Sequence, residues 1–345
     1  MSIRDVAKRA KVSIATVSRA INNPGTVDPK TVARVRRAVE ELNYFPDSHA
    51  RSLVSGRSRI LGLIVSDITN PFFPELVKGF EHVALRQGYE IMLGSTNYES
   101  TRMALCVRRM LERKVEGVAI MTSEMDQHLV EQLVRRNIPS VFLDVGSVRP
   151  YISNIQVDYA SGIRQAVNHL LQLGHSRIGF ISGPLGLKSA HIRRQAFLEC
   201  LKDTGTLQDN EMVTEGDHTI DGGLEAMTRL LERPTFPSAV LTSNDLTAIG
   251  AMRAVRRKGL TVPGDVSIIG FDDIHFAAFT EPPLTTVALS RWELAESAFS
   301  ALMRHIEPKT PDQPVRGEDY TVVPALIIRQ STAEPRASRG FQLGA

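Results

Sequence analysis

The sequence predicts two architectures in series. An N-terminal all-α head of three helices in a helix-turn-helix arrangement is followed, past a short hinge, by an α/β body of two doubly wound lobes. Three observations predict it. Near the N-terminus two short amphipathic segments are joined by only three residues, Lys11-Val12-Ser13. From Arg59 onward, β-rich apolar runs alternate with helical patterns, as expected of parallel sheets covered on both faces. Basic charge is concentrated at one end: residues 1–58 hold eleven Lys and Arg against five Asp and Glu, and the remainder holds thirty against thirty-three.

The 345 residues suit two or three domains. No apolar window of about 18 residues or more occurs, so no membrane span is expected. Met1-Ser2-Ile3-Arg4-Asp5 lacks the apolar core of a secretory signal. Cys106 and Cys200 are the only cysteines. They are too few for a disulfide framework or a thiolate zinc site and read as small buried hydrophobes in a reducing cytoplasm. A basic head on a mildly acidic body suits a polyanionic partner. A solvated basic surface has the same charge, so charge alone does not decide.

In the head, Ser2-Ile3-Arg4-Asp5 reads as a capping-box variant that opens a helix over roughly Ile3 to Ala10. Ser13 is an N-cap for a second helix, Ile14 to Asn22, with Val17, Ala20 and Ile21 on one stripe. Its other face carries Ile14, Ala15, Ser18 and Arg19. Such a face is slim enough to enter a DNA major groove, with one guanidinium fork for a guanine edge and hydroxyls for phosphates. Asn22-Asn23-Pro24-Gly25 breaks the helix. Asp28-Pro29 opens a third with an N-cap and a proline at the first helical position. The core expected from this pattern is Val6, Ala10, Val17, Ile21, Val32, Val35 and Leu42. Asn43 to Leu53 then reads as a linker with a marginal short helix after Pro46. Leu53 at its end suits a wedge between minor-groove base steps, or a plain packing contact on the body.

Asp5-Val6-Ala7, Val12-Ser13, Thr16-Val17-Ser18-Arg19, Asn43-Tyr44, Pro46 and Ala50-Arg51-Ser52-Leu53 together resemble the head of the lactose-repressor (LacI/GalR) family of bacterial transcription regulators. The resemblance implies double-stranded DNA as a partner, with Ile14, Ala15 and Arg19 facing base edges. It implies that Ser13, Thr16 and Ser18 touch the DNA backbone and that Leu53 is the hinge wedge; Asn22 and Ala50 complete the expected DNA-binding set. The family often has a polar or aromatic pair where Ile14-Ala15 stands, which here favours thymine-methyl contact over hydrogen-bond readout.

In the body, strands are predicted at Ile60–Ser66, Tyr89–Thr96, Gly117–Thr122, Ser140–Val145, Ile155–Asp158, Arg177–Ser182, Ala239–Ser243 and Val266–Phe271, with a last one over Thr321–Gln330. Helical patterns cover Glu75–Gln87, Thr101–Lys114, Ala160–Leu173, Arg193–Thr204, Gly222–Leu231 and Asp245–Lys258. The run is long for one sheet, and a division near 158–161 with later crossovers gives two lobes. The expected domains are 1–45 for DNA binding, 46–58 for the hinge helix and linker, 59–331 for effector binding and dimerisation, and 332–345 as a disordered tail without heptads. Asn70-Pro71-Phe72-Phe73, Asn244-Asp245, Gly270-Phe271-Asp272-Asp273 and Pro283-Leu284-Thr285-Thr286-Val287 also resemble the family's body, which is similar to periplasmic sugar-binding proteins.

Catalytic readings find little support. No Gly-x-Gly-x-x-Gly, P-loop, Gly-x-Ser-x-Gly elbow or His-x-x-x-His pair occurs. Gly183-Pro184-Leu185-Gly186 reads as a βα loop, and His175 as a helix cap. No enzyme activity, cofactor or metal is expected. A transport component would have no use for the head, and an architectural DNA protein no use for the body.

Ligands of open α/β sheets gather at the carboxyl ends of strands. That rule selects Asp67, Asn70, Phe72 and Phe73 after the first strand, Asp144 after the fourth, and Asn244, Asp245 and Asp272 after later ones, with Arg193 opening the helix after the sixth. An amide, carboxylates, one arginine and two rings suit a small polyhydroxylated ligand. The resemblance points to Phe72, Phe73, Asp144, Ser189, Arg193, His218, Asn244 and Asp272 for effector contact. Each has a plainer role open to it: Phe72 and Phe73 as a helix staple, Asn244 in a turn, Asp245 as an N-cap, Asp272 in a loop. Leu187 stands where some purine-binding relatives have Arg, and His218 where an aromatic is common. A sugar or sugar acid is therefore favoured over a purine base. One three-helix head buries a small interface, so a homodimer on a near-palindromic operator is expected. The helices Glu75–Gln87 and Thr101–Lys114 are candidate dimer surfaces.

Overall fold

The computed structural model describes residues 1–45, 56–122, 127–144, 148–205, 212–308 and 316–336. The chain divides into two compact units, Met1–Arg59 and Ile60–Ala345. The first holds α1 (Ile3–Ala10), α2 (Ile14–Asn22), a 3₁₀ turn at Pro24–Thr26 and α3 (Pro29–Glu41). The Asp5 carboxylate accepts from the Ser2 amide at 2.8 Å and the Ser2 hydroxyl at 3.0 Å. Lys11, at φ 52°, turns the chain out of α1. Ser13 Oγ accepts the Thr16 amide at 3.1 Å and Asp28 that of Thr31 at 3.0 Å, so each helix start has the cap its sequence offered. Val6, Ala7, Ala10, Val17, Ala20, Val32, Val35 and Ala38 are buried. Ile21 and Leu42, expected at the centre, are only half-buried at its margin. Ala7, Ala20 and Ala38 are buried there instead.

The second unit contains twelve strands in two sheets among the described residues. The first lobe carries β1 (Ile60–Val65), α4 (Phe72–Arg86), β2 (Glu90–Ser95), α5 (Ser100–Glu112), β3 (Gly117–Met121), α6 (Gln127–Arg135), β4 (Ser140–Leu143) and β5 (Ile152–Val157). The chain then enters the second lobe with α7 (Tyr159–Gln172), β6 (Ile178–Ser182), α8 (Lys188–Asp203), β7 (Val213–Glu215), α9 (Ile220–Leu231), β8 (Ala239–Thr242), α10 (Asp245–Arg257), β9 (Ser267–Asp272) and β10 (Thr285–Ala288). It returns to the first lobe for α11 (Arg291–Ile306) and β11 (Asp319–Val322), and ends with β12 (Ala325–Ile327) in the second. The sheet orders are β11-β5-β4-β3-β1-β2 and β12-β10-β9-β8-β6-β7. All pairs are parallel except β10 with β12. Leu61, Leu63, Ile64 and Val65 on β1 are fully buried; each contributes about 1.5–3 kcal/mol of apolar burial.

Three crossovers therefore join the lobes, and they pack on one another. A Cβ at Gly162 of α7 would come within 2.8 Å of Val287 Cγ1 and 3.1 Å of Pro324 Cβ. The strand expected over Thr321–Gln330 is in fact two strands in different sheets, split at Val323-Pro324. Proline has no N–H for a ladder, and the chain changes lobes there.

Other boundaries also differ. α8 begins at Lys188, so Arg193 lies in its second turn rather than at its start. Asn244, not Asp245, caps α10: its Oδ1 accepts the Thr247 amide at 2.9 Å. Asp245 is fully buried and accepts from Thr286 Oγ1 at 2.6 Å and the Ile274 amide at 2.8 Å. His175 does not cap through its side chain. It is buried against Ser238 Oγ (2.9 Å), Ser267 Oγ (3.2 Å) and the Ala333 carbonyl (2.8 Å). That contact, with His169–Thr332 and Arg336–Asp265, holds the chain through Arg336, five residues into the segment read as a tail. The remainder, 337–345, lies outside the described residues.

Candidate functional site

Two places carry the candidate residues. In the head, Ile14 is 44% exposed, and Ser13, Ala15, Arg19 and Asn22 are exposed too. Thr16 and Ser18 are half-buried. Ser13 Oγ is engaged with Thr16 as the cap, and Asn22 Nδ2 donates to Ser18 Oγ at 3.3 Å. Among the described residues Arg19 makes one side-chain hydrogen bond, from Nε to the Ala15 carbonyl at 3.4 Å, and none from the terminal nitrogens of its fork. α2 thus presents one long cation among short side chains. Ala50 and Leu53 fall outside the described residues.

In the second unit, the strand ends of the two lobes enclose a cavity of about 60 Å³. Its wall includes Phe72, Phe73, Ser189, Arg193, His218, Asn244 and Asp272, seven of the eight expected residues, together with Ser66, Asn70, Tyr98, Thr122, Tyr159 and Leu289. Phe72 and Phe73 open α4 with their rings edge to face, 5.3 Å apart. Both are also part of the lobe's core, so the staple and the wall are one feature.

Arg193 is buried, and among the described residues no carboxylate pairs with it. Nη1 donates to the Ser243 carbonyl at 2.7 Å and Nε to the Ser189 carbonyl at 3.2 Å. The guanidinium lies 5.1 Å from the Phe271 ring centroid and 5.3 Å from that of Tyr159, a cation–π arrangement strengthened by desolvation. Asp272, only 7% exposed, sits at φ 109°, a strained conformation for a side-chain-bearing residue. Its carbonyl is bound by Arg291 Nη1 at 2.7 Å. Among the described residues no hydrogen bond or ion pair reaches its carboxylate. Burial pushes that carboxyl up to about 7, against the pull of Arg193 and Arg291 and with a push from Glu75. A buried cation and a buried acid thus face one cavity without pairing to each other.

His218 stands at φ 67°, with Nε2 2.9 Å from Ser243 Oγ. Burial, with Arg193 adding to it, brings its imidazole down to about 3, so it is neutral near pH 7. Its ring covers Gly183, where a Cβ would lie 1.9 Å from Nε2; this is why the βα loop after β6 needs a glycine there. Asn244 has both ends in use, since Nδ2 donates to the His218 carbonyl at 3.0 Å.

Asp144 does not line the cavity. Its Oδ1 accepts the Val157 amide at 2.9 Å and its Oδ2 the Tyr159 hydroxyl at 2.8 Å. Burial raises the Asp144 carboxyl, and those two bonds oppose the rise. The ring presented to the cavity is that of Tyr159. Tyr159 and Tyr98 do not stand out in the sequence as wall residues, although each follows a strand end closely. An aromatic beside an apolar run reads as core, and only the topology turns these two into wall.

Residues 2–47 match the profile described as bacterial regulatory proteins, lacI family, and residues 167–332 that of a periplasmic binding protein-like domain. The HTH-type transcriptional repressor CytR of Escherichia coli (strain K12) is 35% identical over 335 residues, covering 96% of this chain and 96% of its own. The chain belongs to the lacI family of bacterial regulatory proteins. Its fold agrees with that of the Lac repressor dimer solved with operator and the anti-inducer ONPF: TM-score 0.83, 27% identity, 96% of this chain and 99% of that one. A family regulator from Enterococcus faecium, solved with bound ribose, aligns at TM-score 0.69 and 27% identity over 80% of this chain and 99% of its own. The helix-turn-helix head and the two-lobed, periplasmic-binding-like body expected from the sequence are the architecture of this family. The family is one of regulators, not enzymes. No helix among the described residues is long and apolar enough to cross a membrane.

Proposed function

We propose that the protein is a cytoplasmic, ligand-responsive repressor. A homodimer binds a near-palindromic operator through residues 1–45, and a small hydroxylated effector in the cleft changes that affinity through residues 46–58. The effector is a sugar or sugar acid. One observation carries the ligand reading: a buried carboxylate and a buried guanidinium face the same cavity, and the carboxylate has no partner among the described residues. Unpartnered buried charge costs free energy unless something completes it. A ligand hydroxyl can donate to Asp272 while a ring oxygen or carboxylate accepts from Arg193, with Phe72 and Phe73 against the apolar face. The ribose bound to the Enterococcus faecium regulator is of this chemistry.

The cavity is far below the ~300 Å³ at which small-molecule pockets begin. Ligand entry therefore requires the lobes to part, and reclosure on the ligand is the step that can be transmitted to the hinge. Ala50 and Leu53 have their expected roles there, Leu53 as the wedge. The test is a gel-shift titration of the full chain on DNA flanking its own gene, repeated across a panel of pentoses, hexoses, sugar acids, nucleosides and purine bases. A retarded band that responds to a sugar or sugar acid supports the reading. A response confined to a purine base, or no band on any flanking DNA, defeats it.

A further inference from the structure

The lobes are joined by more than their three crossovers. Glu75 lies on α4 of the first lobe, one turn after the cavity rings Phe72 and Phe73. Its Oε2 is 2.8 Å from Arg291 Nε, and its Oε1 accepts the backbone amide of His275, a second-lobe residue, at 3.0 Å. Arg291 begins α11 of the first lobe and reaches across with Nη1 to the Asp272 carbonyl at 2.7 Å. Both side chains are mostly buried, 21% and 30% exposed for Arg291 and Glu75. Solvent therefore weakens this pair less than an open surface pair.

The segment they hold is strained. Asp272 and Asp273 are consecutive non-glycine residues at positive φ, 109° and 56°. Each costs of order 1–3 kcal/mol and persists only where its surroundings impose it. Arg291 holds the first from the first lobe, and Arg329 holds the second through a 2.7 Å ion pair to Asp273. Asp272 thus gives its side chain to the cavity and its carbonyl to the other lobe.

We infer that Glu75 and Arg291 form an interlobe clasp that positions Asp272 and holds the lobes in the closed arrangement from which they must part to admit a ligand. The inference rests on the cleft reading above for its functional meaning, but not for its geometry. The guanidinium fork is what permits it: Nε serves the carboxylate and Nη1 the carbonyl at once, which a lysine ammonium on a flexible stem does not reproduce. When the lobes part, the bonds to His275 and Asp272 must break together, so the two residues act as a unit.

The test needs no ligand. The full-length chain carries spin labels at Glu112→Cys and Glu225→Cys, exposed positions on α5 and α9 of the two lobes, in a Cys106→Ser, Cys200→Ser background. It is diluted into unlabelled chain so that only distances within one chain are read. A narrow interlobe distance is expected for the parent. Glu75→Gln and Arg291→Lys should each broaden it, and the double variant should add little to either single, the non-additivity of a shared contact. Asp272→Asn keeps the carbonyl and should leave the distance narrow. A distance unchanged in both clasp variants, with far-UV spectra showing them folded, overturns the inference, as does broadening by Asp272→Asn alone. If clasp variants broaden while the metabolite panel is silent, the effector reading fails and the clasp stands. An unchanged distance with a responsive panel is the reverse.

Discussion

Asp272 concentrates most of the chemistry of the cleft in one side chain. Its carboxyl sits at about 7 because burial outweighs Arg193 and Arg291, so it changes charge near neutrality. A ligand hydroxyl that donates to it binds the ionised form, which only accepts. Effector affinity should therefore fall as pH drops below about 7, by up to tenfold per unit. Asp272→Asn should remove this slope and weaken binding by about 1.5–3 kcal/mol, the range of a hydrogen bond to a charged group. The half-maximal effector concentration for operator response at pH 6, 7 and 8 is the measurement, and an Asn variant that keeps the slope would refute the assignment. Gly183 offers a second test. Its substitution by Ala drives a Cβ into the His218 ring, and overpacking of this kind costs about 1–3 kcal/mol. Thermal unfolding should show Gly183→Ala destabilised and Gly183→Ala/His218→Ala partly relieved. An additive double variant would mean the ring is not what excludes the side chain.

At the scale of elements, the helices and strands that were easiest to read are those whose ends carry their own chemistry. Ser2, Ser13, Asp28 and Pro29 marked the starts of α1, α2 and α3 to the residue. Continuous apolar runs marked β1, β3, β6 and β8 to within a residue at either end. Less legible were elements whose pattern is set by tertiary burial. α11 carries buried Ala295, Ala298, Ala301 and Leu302, an alanine-rich face whose reason is α4 and the first sheet lying over it. β10 hides among threonines, of which Thr285 and Thr286 are fully buried and bonded to Ser331, Arg329 and Asp245. In the cleft the strand-end rule found charged groups readily and tyrosines not at all. It also counted Asp144 as a contact although its oxygens are spent on Val157 and Tyr159. In the head, α2 has Arg19 as its one long exposed cation on the proposed DNA face, so base discrimination should fall on it. Arg19→Ala should cost about 1–3 kcal/mol on the operator and relax specificity at one base step. Competition between operator and single-base variants measures this, and a uniform loss across all sequences would assign Arg19 to phosphate instead.

For the whole molecule, the head's net positive charge over residues 1–58 against a mildly acidic remainder places the proposed DNA affinity in one small unit, and the proposed operator binding then calls for two copies. The second unit carries one candidate surface for the proposed pairing. A groove of about 1230 Å³ runs along α4 and the start of α11, with Leu85, Phe276 and Trp292 in its wall. These side chains are 58%, 57% and 47% exposed, and the neighbouring Phe279 is 72% exposed. These exposed apolar side chains lie beside α4, one of the two helices expected to serve as a dimer surface. It is also the helix that carries Phe72, Phe73 and Glu75, so the proposed dimer contact, cleft wall and interlobe clasp share one rigid element. Changing Trp292 to Glu places a charge where a partner surface must exclude water, and should shift the chain to monomer in analytical ultracentrifugation. Operator affinity should fall with it, because a single head buries too little to hold a site, while effector binding to the cleft persists. A Trp292→Glu protein that stays dimeric would move the interface to the other candidate, α5. One that becomes monomeric yet binds operator unchanged would show that the two heads do not act together.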